Sequence, residues 1–262
     1  MKNISVIILH FGKYQDTAEC LDSIKSADKN MLNVKVFLVN NGTKDNFSQY
    51  KNIIVIRNNK NLGFAAGINR GLREALKDKR TSHFLILNND TVLPADYFEK
   101  IAGTDFDITG AVVNFKNAED EDVYDYGGSI NYFTGRTNHL EKNIAEKTDF
   151  YPDYVSGCCM IVSRPVLETT GLFDERFFFY FEDVDYCLRA KKAGYRVGVN
   201  QNVTVKHKLS SAIGRWSDKA IYYNLVSNFK IVNKHFGLNR LSAWMYLSLL
   251  TVKIIWDKIS KR

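Results

Sequence analysis

Glu182 and Asp183 stand side by side between an aromatic run, residues 177–181, and the first turn of an amphipathic helix. Acids placed there do one of two things. They stabilise the helix start, where free backbone N–H groups and the dipole's positive end favour negative charge, or they act as a general base. An aromatic wall limits a carboxylate's hydration and raises its proton affinity, which points to the second role. Asp90 is the other acid placed for chemistry. A short apolar run, residues 83–87, ends in Asn88, Asn89 and Asp90, and Pro94 then opens what reads as the next helix. Polar side chains at the carboxyl end of a buried strand sit where open α/β sheets bind ligands; the alternative is an Asn-Asp turn. Further upstream, Gly63, Gly67 and Gly71 recur every four residues. That spacing lines a helix face with hydrogen atoms and means tight packing, and it matches neither a dinucleotide fingerprint nor a P-loop.

The elements that must position these residues follow from hydrophobic period. Residues 4–9, 34–39, 53–56 and 84–87 read as buried strands, and residues 16–26, 64–77 and 95–102 as helices. The alternation predicts a mostly parallel sheet with helices on both faces. Its ligand edge then carries His10, Phe11, Asn40, Asn41, residues 57–61 and residues 88–90. From about 108 to 162 strand and turn signals take over, with a hairpin expected around Gly127 and Gly128 or Gly135. Residues 137–151 are polar and irregular and read as a mobile loop. Pro165 suits the first turn of a short helix ending at Gly171. The acidic helix runs to about Ala193, stops at Gly194 and carries Asp185 and Arg189 as an i,i+4 pair. Residues 197–199 and 203–206 look like strands, and residues 217–235 form an aromatic-rich helix.

Composition narrows the partners. The 262 residues suffice for one full core, and no linker tract or internal repeat is evident. A net charge of +7 and a pI near 9.1 call for an anionic partner. Nucleic acid is set aside, because the basic residues are dispersed and no nucleic-acid-binding motif is present. Phosphorylated substrates and an acidic membrane surface remain. The first strand begins within three residues of the N-terminus, so no leader is expected. Cys20, Cys158, Cys159 and Cys187 lack metal-ligand spacing and read as buried thiols in a reducing compartment.

The ordered segments ISVIILHFGK, VFLVNNGTKDN, IRNNKNLGFAAGINRGL, FLILNNDTVLP, YVSGCCMIVSRPVLETTGLFDERFFFYFEDVDYCLRAKKAGYRV and VTVKHK resemble the inverting glycosyltransferases of family 2. Among them they look most like bacterial rhamnosyltransferases that build cell-surface polysaccharides. The resemblance covers roughly residues 3–235 and implies a GT-A fold: a Rossmann-like nucleotide-binding sheet with helices on both faces, fused to an acceptor-binding part and followed by a C-terminal helical segment. The expected organisation is a catalytic domain over residues 1–236, divided near 105 into donor and acceptor halves, with a helical segment over 237–262.

By that resemblance Asp183 is the base that deprotonates the acceptor hydroxyl, with Glu182 beside it. Asp90 is the metal-binding acid of the family's D-x-D element, which here reads Asn88-Asn89-Asp90 and lacks its first acid. One carboxylate still suffices for Mg²⁺ when phosphate and water complete the shell, and Mn²⁺ also accepts an imidazole, which His207 would supply. Asn41 would read the nucleobase, its amide offering both donor and acceptor; Asn61, Gly63 and Asn69 would lie along the nucleotide, with His10, Asn88 and Asn89 on the same edge. Tyr154, Ser156, Gly157, Phe179 and Tyr180 would meet the acceptor. The implied donor is a dTDP- or UDP-linked sugar, with dTDP-rhamnose the leading candidate, and the acceptor a glycan or lipid-linked glycan. The competing classes are a nucleotidyltransferase, which would carry a glycine-rich basic loop where HFGKYQDTAEC stands, and a non-catalytic sugar-nucleotide-binding module, which the incomplete D-x-D element favours.

The C-terminal residues 243–255 are strongly apolar but interrupted by Lys253, too short a run to span a bilayer. Trp244, Tyr246 and Trp256 suit a headgroup region, and Lys253, Lys258, Lys261 and Arg262 would meet anionic lipid. The expectation is an interfacial helix on the cytoplasmic leaflet of the plasma membrane. The alternative is a helix packed on the catalytic domain or on a second copy of the chain.

Overall fold

Strand β1 (Asn3–His10) sends Ile4, Val6 and Ile8 into one core and Ile7 and Leu9 into another, the mark of a strand covered by helices on both sides. The computed structural model describes residues 3–29, 32–148, 150–209 and 217–260. β1 pairs in parallel with β2 (Asn33–Asn41) and β4 (Thr81–Asn88), and β3 (Ile53–Asn58) adds in parallel to β2. Helix α1 (Tyr14–Ser26) contributes Cys20, Leu21 and Ile24 to the first core, joined by Tyr97, Phe98 and Ile101 of α3 (Tyr97–Ile101). Helix α2 (Phe64–Ala75) contributes Ile68 and Leu72 to the second.

Beyond β4 the direction reverses. β9 (Cys159–Ser163) lies antiparallel between β4 and β6 (Ile108–Lys116), and β10 (Val197–His207) runs parallel to β6. Two-residue β5 (Thr91–Val92) pairs antiparallel with the end of β10, and a hairpin of β7 (Asp122–Ile130) and β8 (Thr137–Lys142) extends from β6. Among the described residues the sheet has ten strands in the order β3-β2-β1-β4-β9-β6-β10-β5, with β7 and β8 off that path. α4 (Arg164–Thr170) and α5 (Glu182–Lys192) precede β10, and α6 (Asp218–His235) and α7 (Arg240–Ile259) follow it.

Several boundaries differ from expectation for identifiable reasons. The hairpin turns at Gly135, whereas Gly127 and Gly128 form a register shift inside β7. The ring of Tyr154 lies over Gly128, where a Cβ would come within 2.3 Å of its hydroxyl. Residues 137–142 are strand β8 rather than loop, their polar faces having masked the period, and the two short strands expected near 200 are one strand with a shift between Asn200 and Thr204. Gly67 and Gly71 do admit neighbours, Leu9 and Ile7 of β1, whereas Gly63 precedes α2 as its cap.

Helix α7 packs Ala243 and Leu247 against Ile231 and Val232 of α6. Its other side leaves Leu241, Met245, Leu249, Val252 and Trp256 each at least 65 % exposed. Among the described residues no helix is long and apolar enough to cross a membrane. Lys261, Arg262 and the side chain of Lys258, expected at a lipid surface, lie outside the described residues.

Candidate active site

The carboxyl ends of β1, β2 and β4 open into a cavity of about 570 Å³, a volume suited to a small-molecule substrate. Asn41, Asn61, Gly63, Asn88, Asn89, Asp90, Tyr154, Ser156, Gly157, Phe179, Tyr180, Glu182, Asp183 and His207 all line it. His10 and Asn69 do not.

On one wall β5 pairs Thr91 with His207 of β10, which places Asp90 beside the imidazole. Asp90 Oδ1 and His207 Nε2 are 3.0 Å apart across 117 positions of sequence, and the Asn88 amide lies 3.4 Å from the same nitrogen. Asn89, also on the lining, donates its amide to Thr17 Oγ1 of α1 at 2.8 Å. Among the described residues no cluster of three or more His, Cys, Asp or Glu could hold an ion by itself. One carboxylate and one imidazole fit a divalent ion whose remaining ligands are phosphate oxygens and water.

On another wall α5 begins with the acid pair. Tyr180 and Phe181 both hold left-handed backbone (φ 67° and 66°), so the chain turns sharply into the helix, a strain typical of functional sites. Asp183 Oδ2 accepts the Gly157 N–H at 2.9 Å and Oδ1 accepts the Val184 N–H at 2.8 Å. The carboxyl group lines the cavity while these backbone bonds fix its orientation. Burial raises the proton affinity of Asp183, only partly opposed by these bonds and by His139. Glu182 is raised further, by burial and by the Asp183 charge, and its Oε2 has no partner among the described residues. The two titrate as a pair, with Glu182 the group that keeps its proton longer.

Three nucleotide-edge expectations need correction. His10 points to the opposite face of β1 from Leu9 and Phe11, because strand side chains alternate. It is fully buried, bonded to Thr17 Oγ1 at 2.6 Å and Asp45 Oδ2 at 2.8 Å, and so pins the loop after β2 to α1. Burial pushes its proton affinity down despite Asp45. Asn69 is buried in α2, where its amide donates to Phe173 O and Glu175 Oε1 and accepts the Phe173 N–H; it ties α2 to the segment leading into the aromatic run. Asn41 reaches the cavity wall, but its amide is saturated. Its Nδ2 donates to Asn61 Oδ1 and Gly63 O, and its Oδ1 accepts from Asn58 Nδ2 and Leu62 N–H. Pairing with a base edge would break those bonds, so Asn41 shapes the loop over residues 58–63 instead.

Sequence reading took residues 137–151 for a loop and singled out none of the side chains on the hairpin side of the cavity, where Asp125, Thr137, His139 and Glu141 line the wall together with Asn224 of α6. Their common placement depends on the β7–β8 register shift, which no local pattern announces.

Residues 5–171, more than half of the chain, match the family model described as glycosyl transferase family 2. The chain is 23% identical over 283 residues to the low-salt glycan biosynthesis hexosyltransferase Agl10 of Haloferax volcanii, covering 97% of this chain and 87% of that protein. It is 39% identical over 62 residues to the N-acetylglucosaminyl-diphospho-decaprenol L-rhamnosyltransferase of Mycobacterium tuberculosis, a segment covering 24% of this chain and 20% of that one. The fold resembles GalNAc-T7, solved with UDP, GalNAc and Mn²⁺, at a TM-score of 0.65 and 13% identity, over 90% of this chain and 49% of that chain. S. aureus TarS 1–349 superposes at 0.58 and 15% identity, over 94% of this chain and 71% of that chain. These two likenesses concern the GT-A fold alone.

Proposed function

Since the chain belongs to glycosyl transferase family 2, we propose that its cavity performs an inverting sugar transfer from a nucleoside-diphosphate sugar to a glycan or lipid-linked glycan acceptor. The observation that carries this reading is the opening of one cavity onto both an acid–imidazole pair, Asp90 and His207, and a buried acid pair, Glu182 and Asp183. Transfer with inversion needs a charge clamp for the departing diphosphate and a base for the acceptor hydroxyl.

Residues 1–105 supply the donor half, with Asn61, Gly63, Asn88 and Asn89 along the nucleotide. Asp90 and His207 would hold Mg²⁺ or Mn²⁺, which supplies positive charge to the diphosphate. Residues 106–236 supply the acceptor half, where Tyr154, Ser156, Phe179 and Tyr180 contact the sugar and the Gly157 N–H orients Asp183. Asp183 takes the hydroxyl proton as the acceptor oxygen attacks the anomeric carbon, the nucleoside diphosphate leaves from the opposite face, and the configuration inverts. Glu182, whose proton affinity burial and the Asp183 charge both raise, disfavours a second negative charge beside the incoming hydroxyl. Rhamnose from dTDP-rhamnose is the favoured donor, on the strength of the similarity to a rhamnosyltransferase over 62 residues.

Helix α7 would lie on the cytoplasmic leaflet near a lipid-linked acceptor, its exposed apolar stripe in the interface and Arg240 and Lys253 at anionic headgroups. Neither the nucleotidyltransferase nor the binding-module alternative gains an observation in its favour.

The test is a thermal-shift screen of nucleotide sugars with Mg²⁺ or Mn²⁺, followed by assay of nucleoside diphosphate release with and without acceptor. Metal-dependent stabilisation by one sugar nucleotide, lost in Asp90→Ala, and release that needs acceptor are expected. Binding that persists in chelator would overturn the metal assignment, and release absent with every acceptor tried would favour the binding module.

A further inference from the structure

The hairpin wall of the cavity carries a three-residue chain of polar contacts that the transfer chemistry described above leaves unused. His139 Nδ1 is 2.8 Å from Asp125 Oδ2, and its Nε2 is 2.8 Å from the Tyr154 hydroxyl. The His139 and Tyr154 rings meet edge to face at 5.3 Å. Asp125 comes from β7, His139 from β8 directly opposite Gly128, and Tyr154 from the segment that continues to Gly157, whose N–H holds Asp183 Oδ2. The missing side chain at Gly128 admits the Tyr154 ring and lets its hydroxyl reach the imidazole. All three residues line the same cavity as Asp183.

We infer that His139, seated between Asp125 and Tyr154, is a positioning residue for the catalytic base: it fixes Tyr154, and with it the segment whose Gly157 N–H holds Asp183 Oδ2. This rests on the assignment of Asp183 as base. The charged surroundings agree. Burial works against a cationic imidazole, yet Asp125, with Asp183 and Glu141, more than offsets it and holds His139 above the usual histidine range. Asp183 in turn feels His139 as the cation that opposes its burial. The other titratable groups facing this corner are Glu182 beside Asp183 and the Tyr154 hydroxyl, which burial keeps neutral. Asp90 and His207 line the same cavity.

Two measurements test this. In the first, kcat and KM are followed against pH for wild type, His139→Gln and Asp125→Asn. The base works only when deprotonated, so turnover rises as pH passes its apparent pKa; loss of a neighbouring cation raises that value. The acidic limb should therefore move to higher pH by roughly one unit in both variants, with donor KM within a fewfold. A uniform fall in kcat with an unmoved limb means a structural role and overturns the inference. In the second, NMR titration of the five histidines, with His139 assigned by its absence in His139→Gln, compares wild type with Asp183→Asn. Removing the Asp183 charge should lower the His139 pKa; an unchanged value overturns the coupling. If Asp183→Asn keeps near-normal turnover, the base assignment itself falls and this inference with it. If that variant is inactive while the His139→Gln limb stays put, only this inference falls.

Discussion

At the scale of single residues, the site is organised by which polar atoms are already committed. Asn41 spends all four hydrogen-bonding positions on Asn58 of β3 and the loop over residues 61–63, His10 on α1 and the β2 loop, and Asn69 on residues 173–175. Glu182 is the opposite case, a buried carboxyl with Oε2 unpartnered among the described residues and its proton affinity well raised. Because its folded pKa lies above the unfolded value, near 4.3, the contribution to stability is fully present below that value. It is lost progressively as pH rises toward the folded value. Glu182→Gln removes this titration, so its thermal midpoint relative to wild type should climb as pH goes from about 4 to 8. A difference that stays flat over that range would contradict the assigned burial and coupling. The residue types at these positions were legible in the sequence, but their commitments were not, since the partners of Asn41 come from another strand and loop and those of Asn69 lie more than a hundred positions away.

At the scale of elements, the close approach of α2 to the aromatic run joins the two halves of the site. Gly63 caps α2 at φ +81°, its position for a Cβ lying 2.4 Å from Phe178 O, and the Phe64 N–H donates to that oxygen at 2.8 Å. Gly171 has nearly the same backbone angles, φ 78° and ψ −165°, with nothing within 4 Å of its Cβ position. Gly171→Ala should therefore cost only the backbone strain, on the order of 1–3 kcal/mol. Gly63→Ala should lower the urea midpoint further and reduce turnover, because displacing Phe178 moves the turn that carries Glu182 and Asp183. Equal effects of the two substitutions would show that the α2 contact is not what sets the turn. The parallel strands and their helices were legible because their apolar runs and 3.6-residue periods are local. The β7–β8 hairpin was not, for its polar strands alternate weakly and a register shift decides which side chains face the cavity.

At the scale of the whole molecule, the basic chain presents an apolar stripe on α7 while the helix's other side packs on α6. The packed side matches the alternative of a helix docked on the catalytic domain, and the exposed side is where the proposed membrane contact would lie. Deleting residues 240–262 should abolish sedimentation with anionic liposomes, and binding that survives the deletion would place the membrane contact elsewhere. The central claim is that the acid pair at the start of α5 supplies the base for transfer from the donor held across the cavity. Asp183→Asn tests it most directly, since the amide nearly preserves shape and removes the proton acceptor. The account predicts that turnover falls by about 10²- to 10⁴-fold while nucleotide-sugar binding, read by thermal shift, stays within a fewfold of wild type; turnover within a fewfold of wild type would contradict it.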